Sequence, residues 1–181
     1  MTRSIALLSA GTALSATLIA GAAGPSIDLA KSSIVATFRQ ENVPVDAAFK
    51  QFNGRVDYDP AMPSASKAAL EVTTGSLDLG SEDYNSEVRK KAWLDSVSYP
   101  TATFISTTIK PSAGGHFDAT GNLTLKGKTQ TLTIPVTVGK SGATTSFDGE
   151  LTISRSYFNI GDKEWNDVLD DKVRVKFHIV E

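Results

Sequence analysis

The stretch GNLTLKGKTQTLTIPVTV, Gly121 to Val138, brings Gly127-Lys128-Thr129 after an earlier glycine, the residue types of a loop that cradles phosphate. Such a loop needs four residues between its glycines, so that successive N–H groups curl round an anion, and a helix directly after. Here five residues, Asn122 to Lys126, separate Gly121 from Gly127. Leu132, Ile134, Val136 and Val138 then recur at every second position, which is strand periodicity. The spacing predicts a tight reversal at Lys126-Gly127 or Gly127-Lys128, and no anion cradle.

A second candidate is Ser64-Ala65-Ser66-Lys67. In Ser-x-x-Lys acyl-enzymes a lysine one helical turn beyond the serine takes its proton. That geometry needs a helix, whereas Pro60 and Pro63 precede the motif and strand periodicity follows it. An exported serine hydrolase using Ser64 and Lys67 is kept as an alternative reading. His178 shares a strand face with Arg174 and Lys176, opposite the apolar Val173, Val175, Phe177 and Ile179, and reads as a solvated residue. His116 follows Gly114-Gly115 at a hairpin end. The carboxylates of DKEWNDVLDD, Asp162 to Asp171, lack the spacing and glycine of a calcium loop. With no cysteine there is no thiol nucleophile, thiolate metal site or disulfide. No catalytic residue, metal ligand or cofactor is assigned.

Bulk properties narrow the classes further. A formal net charge of -2 with 21% charged residues gives no basic excess for nucleic acid. Residues 1–23 carry one positive charge, Arg3, then small and apolar residues closing on Ala20-Gly21-Ala22. This is the layout of a secretory signal peptide, with the mature domain running over 24–181 in the periplasm or outside the cell. The run is about long enough to span a bilayer as an uncleaved anchor. Glycine, serine and threonine dilute it, however, and its end suits a peptidase.

The elements that would position any site are mostly strands. Alternation and turn residues mark eight: Ser33 to Gln40, Val45 to Tyr58, Lys67 to Leu79, Thr101 to Lys110, His116 to Leu125, Thr129 to Val138, Thr144 to Arg155 and Val173 to Val180. Gly54 marks a bulge or bend in the second. Short turns between them predict an all-β antiparallel barrel or sandwich. One helix interrupts the series. Ser81 caps it, Glu82 and Asp83 lie in its first turn, and Arg89, Lys90 and Lys91 stand at its end, an order that suits the helix dipole. Tyr84, Val88 and Trp93 are its expected buried contacts.

Four runs then carry a resemblance. FRQENVPVDAAFKQFNGRVDYDP, GSLDLGSEDYNSEVRKKAWLDSVSYPTATFISTTIK, TGNLTLKGKTQTLTIPVTV and ISRSYFNIGDKEWNDV together resemble, in order, the YceI-like family of exported lipocalin-like proteins. The most specific pieces are Trp93 to Phe104 and Gly121 to Thr129. The resemblance implies an eight-stranded antiparallel lipocalin-like barrel whose interior takes a polyisoprenoid or another long-chain lipid. It also implies homodimers in some members, and it assigns neither a cofactor nor a membrane partner. Ala36, Ala47 and EVRKKAWLDS depart from the commoner family pattern, so the pocket shape belongs to this chain.

A small barrel is either filled by large side chains or left open for a ligand. Here large residues are sparse, and many alternate positions hold alanine, threonine or valine. The expected tail contacts are Phe38, Phe49, Phe52, Trp93, Phe104, Phe158 and Trp165. Arg39, Lys50, Arg89 and Lys90 are the cations expected near a head group, on charge alone. A ligand-free structural or interaction barrel is the remaining alternative.

Overall fold

The computed structural model describes residues 26–181, so the leader expected over 1–23 lies outside the described residues. The strands are β1 Ser33–Gln40, β2 Val43–Phe49, β3 Phe52–Asp57, β4 Lys67–Thr73, β5 Leu77–Asp78, β6 Thr101–Pro111, β7 His116–Leu125, β8 Lys128–Ser141, β9 Thr144–Ser154 and β10 Lys172–Val180. One helix, α1 Glu82–Val88, follows β5. All ten strands belong to one sheet in the order β3-β4-β6-β7-β8-β9-β10-β1-β2-β5, and every ladder is antiparallel.

The two ends of that order are joined by the chain itself. β2 continues into β3 through Lys50-Gln51, and β4 continues into β5 through residues 74–76. β3 pairs with β4, while β2 pairs with β5 at Ala48↔Asp78 and Phe49↔Leu77. The two bent strands are therefore partners on both sides of their bends, from Ala48 to Asp57 and from Lys67 to Asp78. The bends are stitched by Lys50 N–H to Ser76 O at 3.1 Å and Thr73 N–H to Gln51 O at 2.9 Å. Counting β2 with β3 and β4 with β5 reduces ten segments to the eight staves that the sequence pattern marks. The expected irregularity at Gly54 falls instead at Lys50-Gln51, because Gly54 sits in regular register opposite Leu70.

A gap beside β3 is filled by the segment that precedes β1. Ile27 N–H reaches Gly54 O at 3.4 Å and Asp28 N–H reaches Val180 O at 2.6 Å, so this segment bridges β3 and β10. Strand alternation then fixes the interior. Val173, Val175, Phe177 and Ile179 of β10 and Ile34, Ala36 and Phe38 of β1 all point into the barrel.

Two loop ends result. One carries the β1–β2 turn, the β7–β8 turn, α1, the 89–99 segment and the long β9–β10 connection. The other carries the β3–β4, β6–β7 and β8–β9 connections. At the first end Lys126 has φ 47° and Gly127 φ 73°. Both central residues are left-handed, which selects Lys126-Gly127 as the reversal and matches a right-twisted hairpin. A Cβ on Gly127 would lie 2.8 Å from the Tyr99 ring, so glycine is required there for space as well as conformation. Helix α1 is capped as its sequence suggests, the Ser81 hydroxyl accepting from Tyr84 N–H at 3.4 Å. Val88 packs against the core, whereas Tyr84 is 66% exposed.

Candidate functional site

The staves enclose a cavity of about 640 Å³. Ala36 and Ala119 are buried on its wall, and Ala68 and Ala102 also border it. Small side chains at these inward positions leave the volume that bulkier ones would have filled. The remaining wall is mainly aliphatic and aromatic. Its polar residues gather at the two ends, with Gln40, Glu87, Thr103, Arg155 and Asp170 at the end near α1 and Tyr58 and Ser66 at the other. The Tyr58 ring meets Phe117 edge-on at 5.5 Å and Phe147 at 5.6 Å. Burial pushes its hydroxyl pKa up, helped by the charge of Asp59, so this hydroxyl stays neutral.

Aromatic residues frame the end near α1. Trp93 and Trp165 both line the cavity and meet at a centroid distance of 5.4 Å and an interplanar angle of 51°. Their loops are tied together by polar contacts. Lys126 Nζ donates to Lys91 O at 2.8 Å and to Asn159 O at 2.6 Å. Burial lowers the pKa of this ammonium, and Asp95 and Asp162 act in the opposite direction. Gly161 N–H donates to Ala92 O at 2.8 Å. Gly161 has φ 74°, and a Cβ there would come within 2.8 Å of Trp93 and 3.0 Å of Arg155 Nη1.

Of the aromatic residues expected to touch a tail, Phe38, Phe49, Trp93, Phe104 and Trp165 stand on the wall. Phe158 does not. It is fully buried behind the wall, in the core cluster that contains Leu94 and Ile153. Phe52 is likewise off the wall, packed beside the cluster around Val56 just after the Lys50-Gln51 bend.

The four expected head-group cations are also off the cavity wall. Arg39 follows the inward Phe38 and so faces out, its Nη2 donating to Asn42 O at 2.6 Å. Lys50 pairs with Asp78 at 3.4 Å, Arg89 with Glu82 at 2.9 Å, and Lys90 with Glu87. Lys50 and Arg89 border a separate depression with Asp78 and Asn85. Net charge in the sequence does not tell which face of an element a cation occupies.

Sequence reasoning missed Arg155, which is 4% exposed and lines the cavity. The signal was available in the alternation of β9. Phe147, Leu151 and Ile153 point inward, and continuing by two reaches Arg155.

The other chemical candidates stay outside the cavity. Ser64 lies in a single 3-10 turn, Pro63–Ala65, and Lys67 begins β4; both are exposed. His178 Nδ1 contacts Asp148 Oδ1 at 2.6 Å across the β9–β10 ladder, and His116 Nδ1 contacts Thr137 Oγ1 at 2.8 Å. Among the described residues no group of three or more His, Cys, Asp or Glu side chains is placed to hold a metal ion.

Comparison with known proteins adds relatives of matching length. BcnA of Burkholderia cenocepacia is 46% identical and superposes with a TM-score of 0.83, over 86% of this chain and 99% of that one. A polyisoprenoid-binding domain from Saccharophagus degradans shares the fold at a TM-score of 0.70 and 17% identity, over 86% of this chain and 95% of that one. A UPF0312 protein of Pseudomonas savastanoi pv. phaseolicola is 32% identical over 163 residues, 86% of this chain and 82% of the relative. The YceI-like domain matches residues 26–180. With its closed antiparallel staves and apolar interior, the chain belongs to the YceI-like domain family.

Proposed function

We propose that this protein is a non-catalytic carrier that holds a long-chain amphiphile, a polyisoprenoid or related lipid, inside the barrel. The observation that carries this reading is the continuous, mainly apolar cavity of about 640 Å³ along the barrel interior. Ligand pockets span roughly 300–1,000 Å³, so the volume suits a folded or partly inserted chain. Each buried methylene contributes about 0.8 kcal/mol. Ten of them, roughly 8 kcal/mol, would outweigh most single polar contacts, which makes the tail the main source of affinity. The Saccharophagus degradans domain that shares the fold is described as polyisoprenoid-binding, which agrees with this ligand class.

The carrier reading also assigns export to residues 1–23, on the strength of Arg3, the apolar run and Ala20-Gly21-Ala22. Purified mature protein extracted with organic solvent should release stoichiometric lipid, identified by mass spectrometry. An empty extract would favour a ligand-free interaction barrel. Covalent capture of Ser64 by an active-site serine probe would favour the hydrolase. N-terminal sequencing of the periplasmic or secreted form should begin at Ala23 or Gly24, and a full-length N-terminus would overturn cleavage.

A further inference from the structure

We infer that Arg155 is the head-group anchor of the cavity and that the preferred amphiphile carries an oxyanion, a phosphate or a carboxylate, on its apolar tail. This inference rests on the carrier reading and adds to it the ligand's orientation and head-group class.

Arg155 is 4% exposed and forms part of the cavity wall. Its Nε donates to Asp170 O at 3.1 Å, Nη1 to Ile160 O at 3.1 Å, and Nη2 to Asn166 Oδ1 at 2.9 Å and Leu169 O at 3.0 Å. Every one of these acceptors is uncharged. A guanidinium has five N–H donors, so one N–H on Nη1 has no acceptor among the described residues. Burying a cation costs several kcal/mol unless an opposite charge or a full set of acceptors offsets it. Here the set is one short, and no carboxylate forms an ion pair with Arg155 among the described residues.

Two neighbouring carboxylates have hydrogen-bond or ion-pair partners of their own, although the charge of Asp171 also acts on Arg155. Asp171 accepts from Ser156 N–H at 2.9 Å, and Glu87 pairs with Lys90. Asp170 gives Arg155 its main-chain oxygen and presents its side chain at the exposed rim. A buried guanidinium on the wall of an apolar chamber, with one N–H unpaired, is complementary to an oxyanion, since charge-assisted hydrogen bonds are strongest where water is excluded. The opposite end, closed by Tyr58, Phe117 and Phe147, has no cation on its wall among the described residues and suits the tail.

The test uses delipidated protein and four probes with one tail: farnesyl phosphate, farnesoic acid, farnesol and farnesylamine. Affinities are read from calorimetry or from the emission of Trp93 and Trp165. Wild type should bind the phosphate and the acid about tenfold tighter than the alcohol, and the amine most weakly. In Arg155→Gln the oxyanion advantage should vanish while farnesol binding stays within about threefold. Arg155 also ties down residues 160–170, so the wild-type series stands as an independent measurement should the variant fold poorly. Equal affinity for all four heads in wild type, or an oxyanion advantage that persists in Arg155→Gln, would overturn the anchor and leave the carrier intact. Failure of all four to bind would sink the carrier reading itself, and the anchor with it.

Discussion

The ammonium of Lys126 lies 2.6 Å from the carbonyl oxygen of Asn159, joining the β7–β8 turn to the β9–β10 connection. The same nitrogen reaches Lys91 O in the third loop of that end. Lys126 is thus the central tie of the mouth, in the very stretch that has the residue types of a phosphate cradle without its spacing. Hydrogen bonds from charged donors contribute about 1.5–3 kcal/mol when well shielded. Partial exposure reduces that here, so Lys126→Met should cost about 2 kcal/mol and lower Tm by roughly 4–8 °C. Lys128 reaches Tyr157 O and Asn159 Oδ1 from the outside. Lys128→Ala should leave lipid retention unchanged in solvent extracts, and loss of lipid from that variant alone would reopen the anion-loop reading.

Phe158 and Phe104 separate core from wall. Phe158→Ala removes a fully buried ring and should cost about 3–5 kcal/mol in chemical denaturation. Phe104→Ala opens an aromatic face of the cavity and should change which lipids co-purify, at a smaller stability cost. The reverse pattern in denaturation and mass spectrometry would show that the assignment of the two rings is wrong.

Filling the chamber is a direct test of its use. Ala119 is buried on the cavity wall, and Ala119→Phe directs a ring into existing space. Overpacking in tight cores costs about 1–3 kcal/mol, and the open volume should hold the penalty to the low end. The variant should remain folded by circular dichroism yet lose its lipid. Undiminished lipid content in a folded variant would place the ligand elsewhere.

Asp171 supplies a pH dependence with a definite sign. Its pKa is lowered from 3.8, mainly by hydrogen bonding to Ser156. The unfolded chain therefore takes up this proton first as pH falls. The stabilisation is complete above the ordinary carboxylate pKa and is lost as pH drops through the lower folded value. Asp171→Asn should flatten the acid limb of the stability curve below about pH 4 and leave its shape near neutrality unchanged. An unaltered acid limb would show that Asp171 does not titrate between the two states.

Much of the barrel was legible because strand alternation is a strict two-residue code. Val173, Val175, Phe177 and Ile179 declare their face without any tertiary information, and so do Ile34, Ala36 and Phe38. The Ser81 cap and the acidic first turn of α1 were legible for the same local reason. The breaks in the staves were less legible. Lys50-Gln51 carries no glycine or proline, and its bend is set by pairing with residues 74–76, a partner remote in sequence. The polar part of the site was less legible, because charge alone, which points to Arg39, Lys50, Arg89 and Lys90, does not tell which face of an element a cation occupies. Arg39 shows the limit, since standing one residue after the inward Phe38 turns it outward, and Arg155 shows the remedy, since standing two residues after the inward Ile153 turns it in.

The pairing of β1 with β10 joins Ser33 to His178, near opposite ends of the described chain. The Asp28 N–H to Val180 O bond adds a second tie between those ends. Such contacts exact the largest loop-closure entropy in the molecule and cannot form until the last strand is available. Folding is therefore a whole-chain event: while residues 172–180 remain inside the ribosome, the earlier staves form an open sheet with an unclosed seam and no sealed chamber. Any ligand can be enclosed only once β10 has paired, and a truncation that removes β10 would yield an aggregation-prone sheet rather than a smaller barrel.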